Sequence, residues 1–349
     1  MTRTGSSDGE PFWAHYSGEE LLRLRFADLG IGSPGPWLES CLDGLFGELA
    51  DRNLRLRPRV WLSDEWFSPD GVAGMALPFY LTHPRLKRLE HRMMHGVEGG
   101  TRTECLQLLR HETAHALQHA YRFERRAEWR RVFGRSSTRY PDRYRPDPTS
   151  RAYVHHLRDW YAQCHPDEDF AETFAVWLAP GTTWRKRYRE WPVLRKLEYV
   201  DRLMTEIAAG PVPRASRRAI DPLVRLRTTL GEHYRARRAR FTMDRPTPLD
   251  EPLARLLGHD QARRQPRARR GATVLRQRRS EILALVAPAT PEMAYAFGAV
   301  HTDLVGRSRT LDFRVGRSEE AIVRDTARLL RAHLHSLFHD PSTWEWIPV

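Results

Sequence analysis

The chain has few cysteines and lysines and no long apolar run. Each shortage excludes something. Cys41, Cys105 and Cys164 are an odd number at unrelated spacings, which argues against a disulfide framework and against a thiolate zinc site. This cysteine usage fits a reducing compartment, so a cytoplasmic protein is expected. No apolar run nears the roughly 20 residues a membrane span requires, and the polar first ten residues lack the apolar stretch of a secretory signal. Lys87, Lys186 and Lys196 are the whole lysine complement, so arginine carries nearly all the positive charge.

Hydrophobic residues make up 40% of the 349, enough for a core and long enough for two domains or one large domain with extensions. Charge is unevenly spread. Residues 214–279 hold 19 Arg against six acids, an excess of 13 that equals the net charge of the whole chain. Such clustering can mark a surface for nucleic acid or another polyanion. Aromatics are scarce there (Tyr234, Phe241), which argues against base stacking. A basic linker or a set of solvated helices is the leading expectation for that segment.

The densest chemistry lies in His111-Glu112-Thr113-Ala114-His115, an H-E-x-x-H pattern. Thr101-Arg102-Thr103-Glu104 reads as a capping box, so a helix is predicted to start there. Leu106, Leu109, Thr113, Ala116, Leu117 and Ala120 recur at helical spacing and give it a core-facing side. His111 and His115 are four apart on another face, predicted to open on a cleft, and can aim ring nitrogens at one Zn2+ ion. Glu112 beside them can take a proton from water held there. The plain alternative is an ordinary helix with two exposed histidines.

A catalytic zinc requires a third protein ligand with one position left open. A histidine six residues after His115, with an intervening glycine, is not available, since those positions are Tyr121 and Gln118. His119 lies too far round the helix to share the ion. The better source is His165-Pro166-Asp167-Glu168-Asp169-Phe170-Ala171-Glu172, where Pro166 suits a first helical position. Glu168 and Glu172 share a helix face, so one can bind metal while the other orients a ligand histidine. Favourable charge at the helix dipole accounts for Asp167 and Glu168, but not for Glu172 a turn further in.

The H-E-x-x-H helix followed by His-Pro-x-Glu-Asp-Phe-Ala-Glu-Thr-Phe-Ala resembles the gluzincin-type zinc-binding metallopeptidases of bacterial genomes. Its Glu-x-Phe-Ala-Glu-x-Phe core is similar to the catalytic domain of anthrax lethal factor. The resemblance covers roughly residues 55–205 and is strong at two short motifs. It implies that Glu168 is the third zinc ligand, that Glu172 supports a ligand histidine, and that Tyr161 assists the transition state. Tyr140 and Tyr153 are the alternatives to Tyr161. The fold it implies is α+β, a zincin-like metallopeptidase domain, mostly helical with a small sheet bearing an edge strand. The implied activity is hydrolysis of a peptide or protein substrate by a water activated on zinc, with Glu112 as general base. The rivals are a nucleic-acid-associated protein working through residues 214–279, and a zincin-like domain that binds zinc without catalysis.

The remaining expectations concern organisation. Residues 1–15 read as a disordered N-terminus, 16–210 as the metallopeptidase domain, 211–280 as a basic segment or linker, and 281–349 as a small α+β region without a recognised role. Helices are predicted over 19–29, 37–51, 85–94, 151–161, 184–209 and 319–338, with strands over 57–62, 71–81 and 311–315. Pro78 makes 71–81 an edge strand that could pair with an extended peptide. Residues 133–150 read as a solvated insertion or a lid on the cleft. His155, His156, His333, His335 and His339 are not expected to be ligands.

Overall fold

Local capping chemistry sets the first elements of the computed structural model, which describes residues 10–181, 183–216, 218–241, 247, 249–262 and 267–349. Ser17 and Glu20 form a reciprocal capping box that starts helix α1 (Gly18–Arg23). Helix α2 (Pro36–Asp51) has proline in its first turn and buries Leu38, Leu42, Leu45 and Leu49 along one stripe. Strands β1 (Arg59–Ser63) and β2 (Gly74–Pro78) pair in parallel. A Cβ on Gly74 would come within 2.6 Å of the Arg59 carbonyl oxygen, so the strands meet this closely only over glycine. Helix α3 (Pro84–Met94) follows, and then α4 (Arg102–Tyr121), which carries H-E-x-x-H. Lys87 lies 3.0 Å from the centre of the Trp37 ring and reaches the Gly100 carbonyl.

After α4 come the short helix α5 (Ala127–Val132), the two-residue strand β3 (Arg143–Tyr144), and helix α6 (Pro166–Leu178) with the second motif. Helices α7 (Trp184–Arg187), α8 (Leu194–Ala209) and α9 (Leu230–Arg240) complete the first core. It runs from Trp13 to Tyr234, with α4 and α6 at its centre. Six helices follow, and all but the second of them build a second core from Leu253 to Leu337, to which Trp160 of the first half contributes. They are α10 (Asp250–Leu257), α11 (His259–Ala262), α12 (Gly271–Gln277), α13 (Arg279–Val286), α14 (Pro291–Thr310) and α15 (Glu319–His339). Strand β4 (Ile347–Pro348) then returns to pair antiparallel with β3. Over the described residues the chain is therefore mostly helical with two small sheets, compatible with an α+β class. No helix among the described residues is long and apolar enough to cross a membrane.

Several sequence expectations are corrected. Part of the supposed disordered N-terminus is packed: Trp13 is fully buried and its indole N–H donates to the Leu29 carbonyl at 2.8 Å. Residues 1–9 lie outside the described residues. Strand β2 is not an open edge, because all five of its residues are buried and its Ala76 amide donates to the Phe67 carbonyl at 2.8 Å. Residues 151–161 are not a helix. Asp159 and Trp160 take positive φ (62° and 53°), which no α-helix accommodates, and a 3-10 segment spans Arg158–Gln163 instead. The helix expected over 184–209 breaks into α7 and α8 around Pro192, which cannot continue the preceding turn. Residues 311–315 form only a single bridge, Arg270 to Arg314, so the region after 280 owes its order to helices rather than a strand.

The basic segment is not a free linker. Its helix α9 buries Leu230 and Tyr234 in the first core, and α10 and α12 belong to the second. Many of its arginines face carboxylates. Arg237 pairs with Glu90 at 2.9 Å and with Glu65 at 3.2 Å, Arg240 with Glu65 at 2.8 Å, and Arg278 with Glu281 at 2.5 Å and Glu319 at 2.9 Å. The Glu90–Arg237 pair is almost wholly buried. Removing one partner of a buried pair strands the other charge away from water and costs about 3 kcal/mol. Glu90→Ala is therefore expected to lower the urea midpoint of unfolding by that equivalent. An unchanged midpoint would show that α9 is not part of the first core.

Candidate metal centre

Helices α4 and α6 cross so that the two motifs face one another. Thr101 and Glu104 cap α4 reciprocally, and Arg122 ends it in the left-handed conformation. On α6 the cap is His165: its Nδ1 accepts from the Asp167 amide at 3.2 Å, and its Nε2 donates to the Thr138 carbonyl at 2.8 Å. Those two contacts fix the orientation of the ring. Pro166 supplies the first turn with no amide left wanting. Asp167 joins the helices, accepting from Gln118 at 2.7 Å and from Ser136 at 2.8 Å. Lys196 of α8 fastens α6 two residues further on, donating to Asp169 at 2.6 Å and to the Ala152 carbonyl at 2.7 Å.

At the crossing, three side-chain atoms converge. His111 Nε2 lies 3.0 Å from Glu168 Oε2, His115 Nε2 lies 3.4 Å from the same oxygen, and the two Nε2 atoms are 3.1 Å apart. Ligand atoms on a zinc tetrahedron with arms of roughly 2.0–2.1 Å stand roughly 3.3 Å apart. The triangle has the size of one face of that tetrahedron, and its two imidazoles and one carboxylate are a donor set that zinc takes. Among the described residues this is the one such group of three. The supporting contacts fit as well. His111 Nδ1 meets Glu172 Oε1 at 2.8 Å, so that carboxylate takes the Nδ1 proton and leaves Nε2 for the centre. The other oxygen of Glu172 accepts from the Leu157 amide at 2.8 Å. Glu168 Oε1 is held by the Tyr140 hydroxyl at 2.9 Å, which turns Oε2 toward the histidines.

Burial governs the electrostatics. His111, Glu112, His115 and Glu168 are only 4%, 7%, 8% and 5% exposed. Burial opposes the cation of His111, yet Glu168 and Glu172 outweigh it and hold the ring well above the usual histidine range. His115 is raised in the same way, against burial and mainly by Glu168. Burial likewise opposes the anion of Glu168, but His115 and His111 keep its carboxyl well below the usual range. The Glu112 carboxyl is pushed up, first by burial and also by Glu168, against the pull of the two histidines. Its Oε2 is buried without a hydrogen-bond partner, although Ser68 donates to the Glu112 backbone carbonyl at 3.0 Å. A buried carboxylate oxygen left unpaired beside three converging donors is a place for a further polar group.

The structure brings five of the six predicted side chains, His111, His115, Glu112, Glu168 and Glu172, into one cluster. Tyr161, the sixth, lies alongside, its ring centre 5.9 Å from that of His111. Of the alternative tyrosines, Tyr153 packs under Lys196, and Tyr140 touches Glu168. The histidines expected to open on a cleft are buried instead, and Tyr140 from residues 133–150 reaches the Glu168 beside them. His155 stacks on Tyr295, and His156 Nε2 meets the Gln107 carbonyl at 3.1 Å, so neither turns to the cluster. His119 sits 3.6 Å from Asp70, away from the triangle. The cap formed by His165 and the buried Lys196–Asp169 pair had no motif to announce them. Tyr140 acts across 28 positions of irregular chain, where periodicity carries no signal.

No protein-family model, curated protein or solved structure matches the chain.

A group whose folded pKa is raised gives stability that is whole below its unfolded pKa and is lost as pH rises through the folded value. For His111 and His115 the unfolded value is about 6.5. The metal-free protein is therefore expected to lose a few degrees of melting temperature as pH rises from 6 to 9. With zinc bound the dependence should flatten, because metal displaces those protons. Scanning calorimetry with and without zinc checks this, and identical pH profiles would refute it.

Proposed function

We propose that the chain is a zinc-dependent metallopeptidase of gluzincin type, with a zincin-like domain around α4 and α6. The observation that carries the reading is the triangle of His111 Nε2, His115 Nε2 and Glu168 Oε2, completed by the buried, unpartnered Oε2 of Glu112. Zinc held by those three residues supplies acidity to water and polarises a carbonyl. The chain's own groups do the rest. Glu112 accepts the proton of the attacking water and passes it to the departing amine, and burial, by raising its pKa, makes it a better base. Glu172 keeps His111 in the tautomer whose Nε2 is free. Tyr161 is the donor beside His111 that can steady negative charge on the carbonyl oxygen.

The other readings draw less support. Polyanion binding through residues 214–279 competes with the carboxylates that already engage Arg237, Arg240 and Arg278. Zinc binding without catalysis leaves the unpartnered Oε2 of Glu112 without a purpose, since a buried polar atom with no partner costs stability.

Metal analysis of the purified protein is the first experiment. About one zinc per chain is expected for the wild type, with clear loss in Glu168→Ala. Glu112→Gln should keep zinc and lose hydrolysis of a fluorogenic peptide library by roughly a hundredfold or more. Retained activity would remove the general base. Tyr161→Phe should lower kcat and leave metal content alone; an unchanged kcat would end its assigned part.

A further inference from the structure

A scissile peptide must come within roughly 3 Å of Glu112 for proton transfer, yet Glu112 Oε2 and Glu168 Oε2 are closed off from solvent. The segment that reaches this cluster from outside α4 and α6 is residues 135–146, whose Tyr140 hydroxyl donates to Glu168 at 2.9 Å. One end is Gly134, whose φ of +112° only glycine adopts freely. The other end is Asp147, whose amide and carbonyl are both held by the Gln163 side chain at 2.8 Å. Between those fixed points a handful of contacts hold the segment down, and Tyr144, 6% exposed, donates its hydroxyl to the Asp159 carbonyl at 2.7 Å. Ser136 and Tyr140 reach Asp167 and Glu168, the Thr138 carbonyl takes the His165 proton, and Tyr140 stacks on His165 with ring centres 3.7 Å apart.

The outer side of the segment is held by the end of the chain described here. β3 pairs with β4 over two residues, Arg143 with Pro348 and Tyr144 with Ile347. Arg143 donates to the Trp346 carbonyl at 2.8 Å, and Arg145 donates to the carbonyls of Trp344 and Pro341. The root of this strap is anchored in the second core, since Trp344 donates its indole N–H to the Leu337 carbonyl at 2.8 Å. A two-residue ladder with exposed arginine contacts belongs to the least stable part of a fold, where opening is local and low in cost.

We infer that residues 135–146 are an autoinhibitory cover over the His111–His115–Glu168 cluster, latched by Tyr140 on Glu168 and strapped shut by residues 341–349. The inference deepens the metallopeptidase reading and rests on it for what the opened site takes, a peptide segment. Releasing the strap frees Tyr140 from Glu168 and exposes Glu112 to substrate. The second core thereby controls access to a cluster to which it lends no ligand.

The test is a lock. The Val349 amide donates to the Asp142 carbonyl at 3.2 Å, so Arg143 and Pro348 form the neighbouring pair without ladder hydrogen bonds, where cross-strand side chains come closest. Arg143→Cys with Pro348→Cys in the full chain should close a disulfide there, and the three native cysteines are buried. Diethyl pyrocarbonate acylation of His111 and His115 in the metal-free protein, followed by peptide mass spectrometry, reads access without requiring zinc or catalysis. The oxidised form is expected to react at least about tenfold more slowly than the reduced form. Equal rates would overturn the inference. Should the disulfide variant misfold by circular dichroism, Arg145→Ala combined with Tyr140→Phe should react faster than wild type, and wild-type rates would overturn it equally. If the opened protein shows the rate difference but hydrolyses no peptide, the cover stands and the peptidase reading falls.

Discussion

Burying ionisable groups away from water is costly unless they answer one another, and the centre of this fold depends on that constraint. His111, His115, Glu168 and Glu172 are each nearly inaccessible, and none could remain so alone. Placed between α4 and α6, the two carboxylates and two imidazoles satisfy one another. The helices must then cross at one depth and rotation, since a shift of one residue would turn each charge into apolar side chains. Phe170, Ala171 and Phe174 of α6 are buried in the first core. Lys196 secures the same helix from α8 through Asp169, whose carboxyl burial pushes up to about 7 while the ammonium pulls it back.

That centre was legible because its signals are local. A capping box marks the start of α4, His-Pro marks the start of α6, and four-residue spacings put each pair on a single face. Each is dictated within a turn or two of helix, so neither needs the rest of the chain. Helices α2, α3 and α15 follow for the same reason, with apolar stripes that match the core they meet.

The failures share a different cause. Residues 151–161 carry a helical pattern, but Trp160 is drawn into the second core, and the backbone bends through positive φ to deliver it. The arginine-rich segment looks like a linker when only charge is counted. Sparse apolar residues such as Leu230, Tyr234, Leu253 and Leu257 nevertheless suffice to seat it, because the arginines find acids contributed by distant segments. Tyr140 meets Glu168 across 28 positions and the β3–β4 pairing joins residues about two hundred positions apart, and nothing local to either end specifies the partner.

The lysines carry a separate consequence. Lys87 lies against Trp37 and the Gly100 carbonyl, and Lys196 is committed to Asp169 and Ala152, which leaves Lys186 as the one exposed side-chain amine among the three. Amine cross-linkers and enzymes that modify lysine thus meet a single ready lysine side chain. Guanidinium groups hold the remaining positive charge, and they neither titrate below about pH 12 nor accept acyl groups readily. The outer charge of this protein is therefore set once, by translation, and stays almost beyond the reach of later amine chemistry.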